Sequence, residues 1–262
     1  MLADKLRKRA LKRAEISELR CRLRDWYTRR TGRQLRDMER AELEPVISTL
    51  FGYHALQVGK LVEEDILSSS RIRHRVIMDP DKFHVGALAA FAYPDALPVA
   101  SDAVDLVVLP HTLEFERNPH AVLREVDRVL IAEGHVVVMG FNPFSLWGLL
   151  GWFARRLRYQ NPPWSAPFIS ATRIKDWLAL LGFDVLVTHS FFFRPPIGRP
   201  RLLRRLRFLE RWGARWWPGG GGVYLLVARK RVTMLTPLKP RWRPRRSLIG
   251  KLAEPTARSR FE

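Results

Sequence analysis

The chain has 262 residues and a formal net charge of +20 at pH 7, so it is long enough to bury a large core and still carry cationic segments outside it. The charge is concentrated at the two ends: residues 1–40 contribute +8 and residues 194–262 contribute +16, whereas the residues between them sum to −4. Cys21 is the only cysteine, which excludes an internal disulfide framework and a cysteine-built zinc site. The histidines lack ligand spacing, so we expect no bound metal.

The cationic ends leave three interpretations of the charge open. They can attract the phosphate backbone of a nucleic acid, attract the headgroups of an anionic membrane, or serve solubility alone. The lone cysteine fits a reducing cytosol, and the charged N-terminus has no apolar core of a secretory signal. We therefore expect a cytoplasmic protein, with a peripheral position on the inner membrane as the alternative.

The first 50 residues predict a segment of two basic helices. Apolar residues recur at helical spacing over residues 2–26, with basic residues between them, and residues 31–32 interrupt the pattern. A second periodic run covers residues 35–50. At the other end, residues 232–262 hold prolines and arginines without periodicity, which predicts a basic, disordered tail.

Between residues 51 and 231, short apolar runs alternate with helical segments, which is typical of a parallel sheet with helices on both faces. We predict strands at residues 54–59, 74–79, 87–92, 104–109, 135–141, 183–192 and 222–230. Helices are expected at about residues 60–70, 118–131, 170–181 and 200–212. A glycine-rich turn at 218–222 precedes the last strand, which we therefore expect to be antiparallel. The prediction is an α/β three-layer sandwich of about seven strands with added N-terminal helices.

Three residues at predicted strand ends are candidates for chemistry, because an open parallel sheet binds ligands beyond the carboxyl ends of its strands. Gly59 ends the first strand, and Asp79 ends the second strand twenty residues later. That spacing suits a carboxylate that accepts hydrogen bonds from two ribose hydroxyls, although an aspartate before a proline also suits an ordinary turn. His111 follows the fourth strand, where a neutral imidazole could accept a proton or simply cap the loop.

The stretch from residue 96 to residue 143 carries a more specific pattern. It holds a Leu-Pro, a strand with Asp105 near its start, a Leu-Glu at 113–114, a helix reading Leu-Arg-Glu-Val-x-Arg-Val-Leu from Leu123, and an Asn-Pro at 142–143. This pattern resembles the core of the class I S-adenosylmethionine-dependent methyltransferases, in particular the methyltransferase type 11 group that includes the ubiquinone and menaquinone C-methylases. The resemblance extends over roughly residues 54–230 and implies a Rossmann-like fold.

The resemblance implies S-adenosylmethionine as cofactor and a small-molecule or lipid-like methyl acceptor. It assigns the cofactor site to Gly59, Asp79 and Leu109, with Asp79 on the ribose. Tyr93 stands where the family usually has an acidic residue near the adenine, and it could stack on the adenine instead. The resemblance places His111 where the acceptor meets the sulfonium, as the candidate catalytic base or as a contact to the cofactor.

The loop after the first strand departs from the family pattern. The family has an acidic residue followed by spaced glycines, but here Gln57 replaces the acid and bulky residues at 60–62 follow Gly59. Glu63 or Glu64 could take over the role of the missing acid. Alternatively the site has decayed, and the chain is a catalytically inactive module that binds nucleic acid or an anionic membrane through its basic ends.

Aromatic residues are concentrated after the Asn-Pro, in the segment that forms the acceptor-side lid of the related enzymes. They are Trp147, Trp152, Phe153, Trp164 and Phe168, with Arg155, Arg156 and Arg158 among them. The combination predicts an apolar or planar substrate, a lipid–water boundary, or a packed insertion. Tryptophans and arginines recur together at residues 211–217.

Overall fold

The architecture is taken from a computed structural model of the chain. The structure describes residues 2–62, 64–81, 89–156, 167–194, 213 and 215–231. The predicted helix at 200–212 and the predicted tail at 232–262 lie outside these residues. So do Glu63, Arg158 and Trp164 among the residues singled out above.

The described residues form a seven-stranded sheet in the order β3-β2-β1-β4-β5-β7-β6. Its strands are β1 His54–Val58, β2 His74–Asp79, β3 Ala89–Phe91, β4 Val104–Pro110, β5 Leu130–Phe141, β6 Phe183–Phe191 and β7 Val223–Lys230. The first five strands pair in parallel, and β7 runs antiparallel to both β5 and β6. The predicted α/β sheet and its antiparallel last strand are confirmed.

Five helices are described. They are α1 Leu2–Thr28, α2 Arg30–Thr49, α3 Pro119–Val129, α4 Leu146–Arg156 and α5 Ala171–Leu180, with a 3-10 turn at Leu113–Phe115. The Asn118 side chain caps α3 by accepting the Ala121 N–H, and the Ser170 side chain caps α5 by accepting the Arg173 N–H. The helices near residues 118–131 and 170–181 are therefore present, and α4 is a helix that the sequence pattern did not predict.

The two faces of the sheet carry separate cores. On one face, α1 and α2 place Leu23, Leu35, Leu43 and Ile47 against side chains of β1, β4, β5 and β7. On the other, α3 and α5 pack against alternate residues of the same strands. The sheet therefore lies between two helical layers, as expected of a three-layer sandwich.

The helix predicted near residues 60–70 is wrong, because the chain between β1 and β2 is a series of turns. Its apolar residues Leu61, Leu67 and Ile72 are nonetheless buried, in the core that α1 and α2 form. The N-terminal helices thus cover the part of the sheet face that a crossover helix was expected to cover. None of the helices in the described parts of the chain is long and apolar enough to cross a membrane.

Candidate functional site

The candidate site lies where β1, β2 and β4 end. These strands are parallel neighbours, so Gly59, Asp79 and His111 reach one edge of the sheet, where ligands bind in this class of fold. We refer to this edge as the carboxyl edge. The sequence prediction that these three residues lie at neighbouring strand ends is consistent with the topology.

Two arginines of α1 cover the carboxyl edge. Arg20 and Arg24 are four residues apart, which places them on one face of the helix. The Nη2 atom of Arg20 lies 2.6 Å from Oδ2 of Asp79, and its Nε lies 3.1 Å from Oδ2 of Asp81. Arg24 places Nη2 3.0 Å from Oδ1 of Asp79 and Nη1 2.8 Å from Oδ2 of Asp81. Two guanidinium groups therefore face two carboxylates.

The four charges of this cluster are buried. Asp79 is 0 % exposed, Arg20 1 %, Asp81 7 % and Arg24 9 %. Backbone N–H groups of Lys60 and Asp81 donate further hydrogen bonds to Asp79, at 2.6 and 2.8 Å. Burial alone raises the pKa of Asp81, but the Ser17 hydroxyl and the two arginines together hold that pKa below its ordinary value. Asp79 therefore stabilises the turn after β2 and also pairs with the two arginines of α1.

The loop after Gly59 is closed by the same helix. Gly59 has a φ of +93°, which glycine adopts readily, and a Cβ atom there would lie 2.7 Å from Oγ1 of Thr112 and 3.7 Å from Nη2 of Arg20. The Nε of Arg24 donates to the carbonyl oxygen of Lys60 at 2.8 Å. Leu61 turns into the core beneath α1 and α2. The space above Gly59 is therefore occupied by side chains of the protein itself.

His111 is buried between two carboxylates. Its Nδ1 lies 3.1 Å from Oε2 of Glu114, and its Nε2 lies 2.9 Å from Oε1 of Glu39 on α2. The Tyr27 hydroxyl donates to the same Glu39 oxygen at 2.8 Å, and Glu114 accepts the Phe141 N–H. The φ of His111 is +51°, a conformation that is uncommon for a residue other than glycine.

These contacts determine the charge of the imidazole. Burial alone lowers the pKa of His111, but the carboxylates of Glu114 and Glu39 outweigh it and raise that pKa to about 10. Burial raises the pKa of Glu114 despite the opposing charge of His111, and burial followed by the Glu39 charge raises the pKa of Tyr27. At neutral pH His111 is an imidazolium that donates both N–H groups.

The exposed neutral imidazole that a general base requires is therefore absent from the described arrangement. The sequence interpretation of His111 as a base is not supported by its surroundings, because both ring nitrogens are already engaged with carboxylates. Its role as a loop residue agrees better with the geometry, since it links β4, the Leu113–Phe115 turn and α2.

The remaining predicted residues are dispersed. The Leu109 side chain is fully buried in the core against α3 and α5, so it does not face the carboxyl edge. Glu64 is exposed and pairs with Arg36 of α2, at 3.0 Å, which places its carboxylate in a surface ion pair. Tyr93 follows β3 at the correct edge, half-buried, with its ring 5.2 Å from that of Phe91. Among the described residues of the predicted cofactor site, Gly59, Asp79 and Tyr93 lie at the carboxyl edge.

Sequence reasoning missed the contributions of the N-terminal helices. It treated their basic residues as surface charge, and for Arg20 and Arg24 that interpretation is wrong because both are buried in ion pairs. Glu39 and Tyr27 were not singled out at all. One local feature of the sequence could have indicated that the two arginines face the core. Arg20 and Arg24 lie four residues apart and close to Leu23, a residue on the apolar side of the helix.

Comparisons with known proteins agree with this geometry at the level of the fold. A family model described as a methyltransferase domain matches residues 76–138. The uncharacterized protein YafS of Escherichia coli is 33% identical over 213 residues, which cover 79% of this chain and 82% of YafS.

Two solved structures are similar in fold at low identity. A SAM-dependent methyltransferase from Thermotoga maritima has a TM-score of 0.54 and 16% identity, covering 72% of this chain and 88% of that one. A SAM-dependent methyltransferase from Archaeoglobus fulgidus has a TM-score of 0.53 and 17% identity, covering 74% and 94%.

The described arrangement does not fit S-adenosylmethionine, the cofactor by which these proteins are named. Asp79, the candidate ribose ligand, is fully buried and already accepts hydrogen bonds from two arginines and two backbone N–H groups. A cavity of about 30 Å³ lies at His111 and is lined by Tyr27, Glu39 and Gln57 among others, but not by Asp79. A space of that size holds one or two water molecules. Because Arg20 and Arg24 of α1 occupy the Asp79 carboxylate, a nucleoside there requires α1 to move.

Proposed function

Because the chain belongs to the class I S-adenosylmethionine-dependent methyltransferase family, whose cofactor is S-adenosylmethionine, we propose that it is a methyltransferase whose cofactor site is gated by α1. The observation that carries the proposal is the position of Asp79. Its carboxylate remains at the tip of β2 and points toward the carboxyl edge, where Arg20 and Lys60 contact it. The acceptor is a small or lipid-like molecule.

The proposed gating by α1 rests on competition between two sets of hydrogen-bond donors for the carboxylate of Asp79. Asp79 can accept hydrogen bonds from a pair of vicinal hydroxyls or from the guanidinium groups of α1, but a fully buried carboxylate has no room for both sets of donors. Withdrawal of Arg20 would remove one of the three donors to the Oδ2 atom, the others being Arg24 and the Lys60 N–H, and would open space beside Gly59 at the same time. Methyl transfer from a sulfonium depends mainly on positioning, so the proposal assigns no proton transfer to His111.

A second candidate function is supported by the same ion cluster. Arg20 and Arg24 donate hydrogen bonds to both carboxylate oxygens of Asp79. They could therefore permanently take the place of the ribose hydroxyls of a cofactor. The bulky residues after Gly59 agree with that interpretation, since Leu61 is built into the core. The chain would then be a catalytically inactive module with a methyltransferase fold, which fold alone does not exclude.

Calorimetric titration with S-adenosylhomocysteine separates the two candidates. We expect weak binding to the wild-type chain and, in Arg20→Ala, binding at least about tenfold tighter, because one competitor for Asp79 is removed. Arg22→Ala is the matched control: it lies on the same helix but pairs with Glu18 at the surface, and it should bind as the wild type does.

The site assignment predicts a further change in the Arg20→Ala background. Replacing Asp79 by alanine there should weaken S-adenosylhomocysteine binding by about 1 to 3 kcal/mol, because the hydroxyls lose their acceptor. Circular dichroism should first show that each variant is folded. An absence of heat from every folded variant at about millimolar ligand would contradict the methyltransferase proposal and favour the inactive module.

A further inference from the structure

An exposed apolar surface lies beyond the end of β5, on α4 and the turn before β7. It comprises Phe144, Leu146, Leu149, Leu150, Trp152, Phe153, Trp216 and Trp217, each between 41 % and 76 % exposed. We call these residues the aromatic surface. Trp217 and α4 line one open groove of about 550 Å³, so the two segments form a continuous surface. Exposed apolar surface of this extent marks an interaction site.

The helix that carries the aromatic surface is apolar on both sides. Residues 146–153 read Leu-Trp-Gly-Leu-Leu-Gly-Trp-Phe, without a polar residue. Trp147 is 1 % exposed and packs against Trp26 and Phe141 in the core. The opposite side of α4 faces away from the core and ends at the exposed Arg156. A helix that faced only water would be polar on that side.

The orientation of α4 is fixed by polar contacts at its start. Asn142 donates to the carbonyl oxygens of Gly219 and Gly221 and accepts the Phe144 N–H. Ser145 donates to the Asn142 carbonyl and accepts the Gly148 N–H. These bonds join the start of α4 to the turn that carries Trp216 and Trp217. They therefore hold the aromatic surface in its exposed position.

We propose that the aromatic surface docks on an anionic lipid bilayer. Arg156 at the end of α4 and Arg215 beside Trp216 are exposed, and the stretches of sequence 151–158 and 194–217 hold eleven arginines and one acidic residue. Apolar and tryptophan side chains enter the boundary between headgroups and acyl chains, while neighbouring arginines attract anionic headgroups. The proposed contact is peripheral, with the side chains of the aromatic surface entering the headgroup boundary.

Charge and chemistry argue against the other occupants. A second copy of the chain would bring its own Arg156 and Arg215 and a net charge of +20 toward this surface, which repels. A nucleic acid would be attracted by the arginines but would leave the leucines of α4 without a partner, since its backbone is polar. The proposal is independent of the gated cofactor site and of methyl transfer.

Vesicle flotation of the full chain tests the proposal. We compare phosphatidylcholine vesicles with vesicles in which about a third of the lipid is phosphatidylglycerol. We expect binding to the anionic vesicles only, weakened when NaCl rises from about 0.05 M to about 0.5 M. The double variant Trp152→Ser/Trp217→Ser should bind them at least about tenfold less tightly, because two interfacial side chains are lost.

A matched control and a second readout keep the result interpretable. Leu180→Ser changes an apolar residue that is 84 % exposed. Leu180 lies near the start of β6, at the opposite ends of the strands from α4. This variant should therefore bind the vesicles as the wild type does. Brominated phosphatidylglycerol should quench wild-type tryptophan fluorescence, and the double variant should lose most of that quenching. Equal binding of the anionic vesicles by the wild type and the double variant would overturn the proposal.

Discussion

Asp79→Asn is expected to lower the free energy of unfolding by about 3 to 5 kcal/mol, the range for removing one partner of a buried ion cluster. The substitution keeps an oxygen that can still accept the Lys60 N–H, so it isolates the loss of charge. Arg20 and Arg24 would remain buried with Asp81 as their only carboxylate in the cluster. Chemical denaturation measures the change directly.

Two further variants establish the cause of that loss. Asp37→Asn removes a carboxylate that is 68% exposed and pairs with Arg36 at the surface, and it should cost less than about 1 kcal/mol. Adding Arg20→Met to Asp79→Asn should recover part of the lost stability, because the unpaired guanidinium is removed together with its partner. A loss below about 1 kcal/mol in Asp79→Asn would show that the buried cluster does not exist in solution.

The His111 cluster predicts that the protein becomes less stable as the pH rises above neutrality. The pKa of His111 is about 10 in the folded protein and about 6.5 in the unfolded chain. Because this pKa is higher in the folded protein, protonated His111 contributes its full stabilisation below about pH 6.5. That contribution to the free energy of unfolding is lost as the pH approaches about 10. Between these values the unfolding free energy should fall by up to about 1.4 kcal/mol per pH unit.

Other titrating groups leave a usable window for this measurement. Burial lowers the pKa of His135, so its effect lies at lower pH, and burial raises the pKa of Tyr27 and of Tyr224 above 10. Burial also raises the pKa of Glu114, so denaturation at about pH 7.5, 8.5 and 9.5 should report mainly on the coupled His111–Glu114 pair. The His111→Gln variant should be less stable than the wild type at about pH 7.5, and its stability should fall less steeply as the pH rises. A wild-type stability that rises over this range would contradict the imidazolium assignment.

The sheet was predictable from the sequence because its strands are continuous apolar runs. Residues 106–109 of β4 are all fully buried, as the pattern indicated. The start of α3 was equally clear, since Asn118 caps it and a proline occupies its first position. Local chemistry alone determines such features.

The closed site was not predictable, because it depends on pairing between distant segments. Arg20 and Asp79 are 59 residues apart, and a pattern that counts arginine as exposed assigns it to solvent. His111 was placed at the correct strand end, but its charge is determined by Glu39, 72 residues earlier in the chain. The missing crossover helix has the same cause, since α1 and α2 bury Leu61 and Leu67 without one.

Amide hydrogen exchange of residues 14–28, with and without S-adenosylhomocysteine, tests the gated site most directly. The account predicts that the ligand binds and that exchange in this part of α1 becomes faster, because Arg20 and Arg24 must leave Asp79. Exchange around β2 should become slower at the same time. Ligand binding that leaves residues 14–28 equally or better protected would contradict the account.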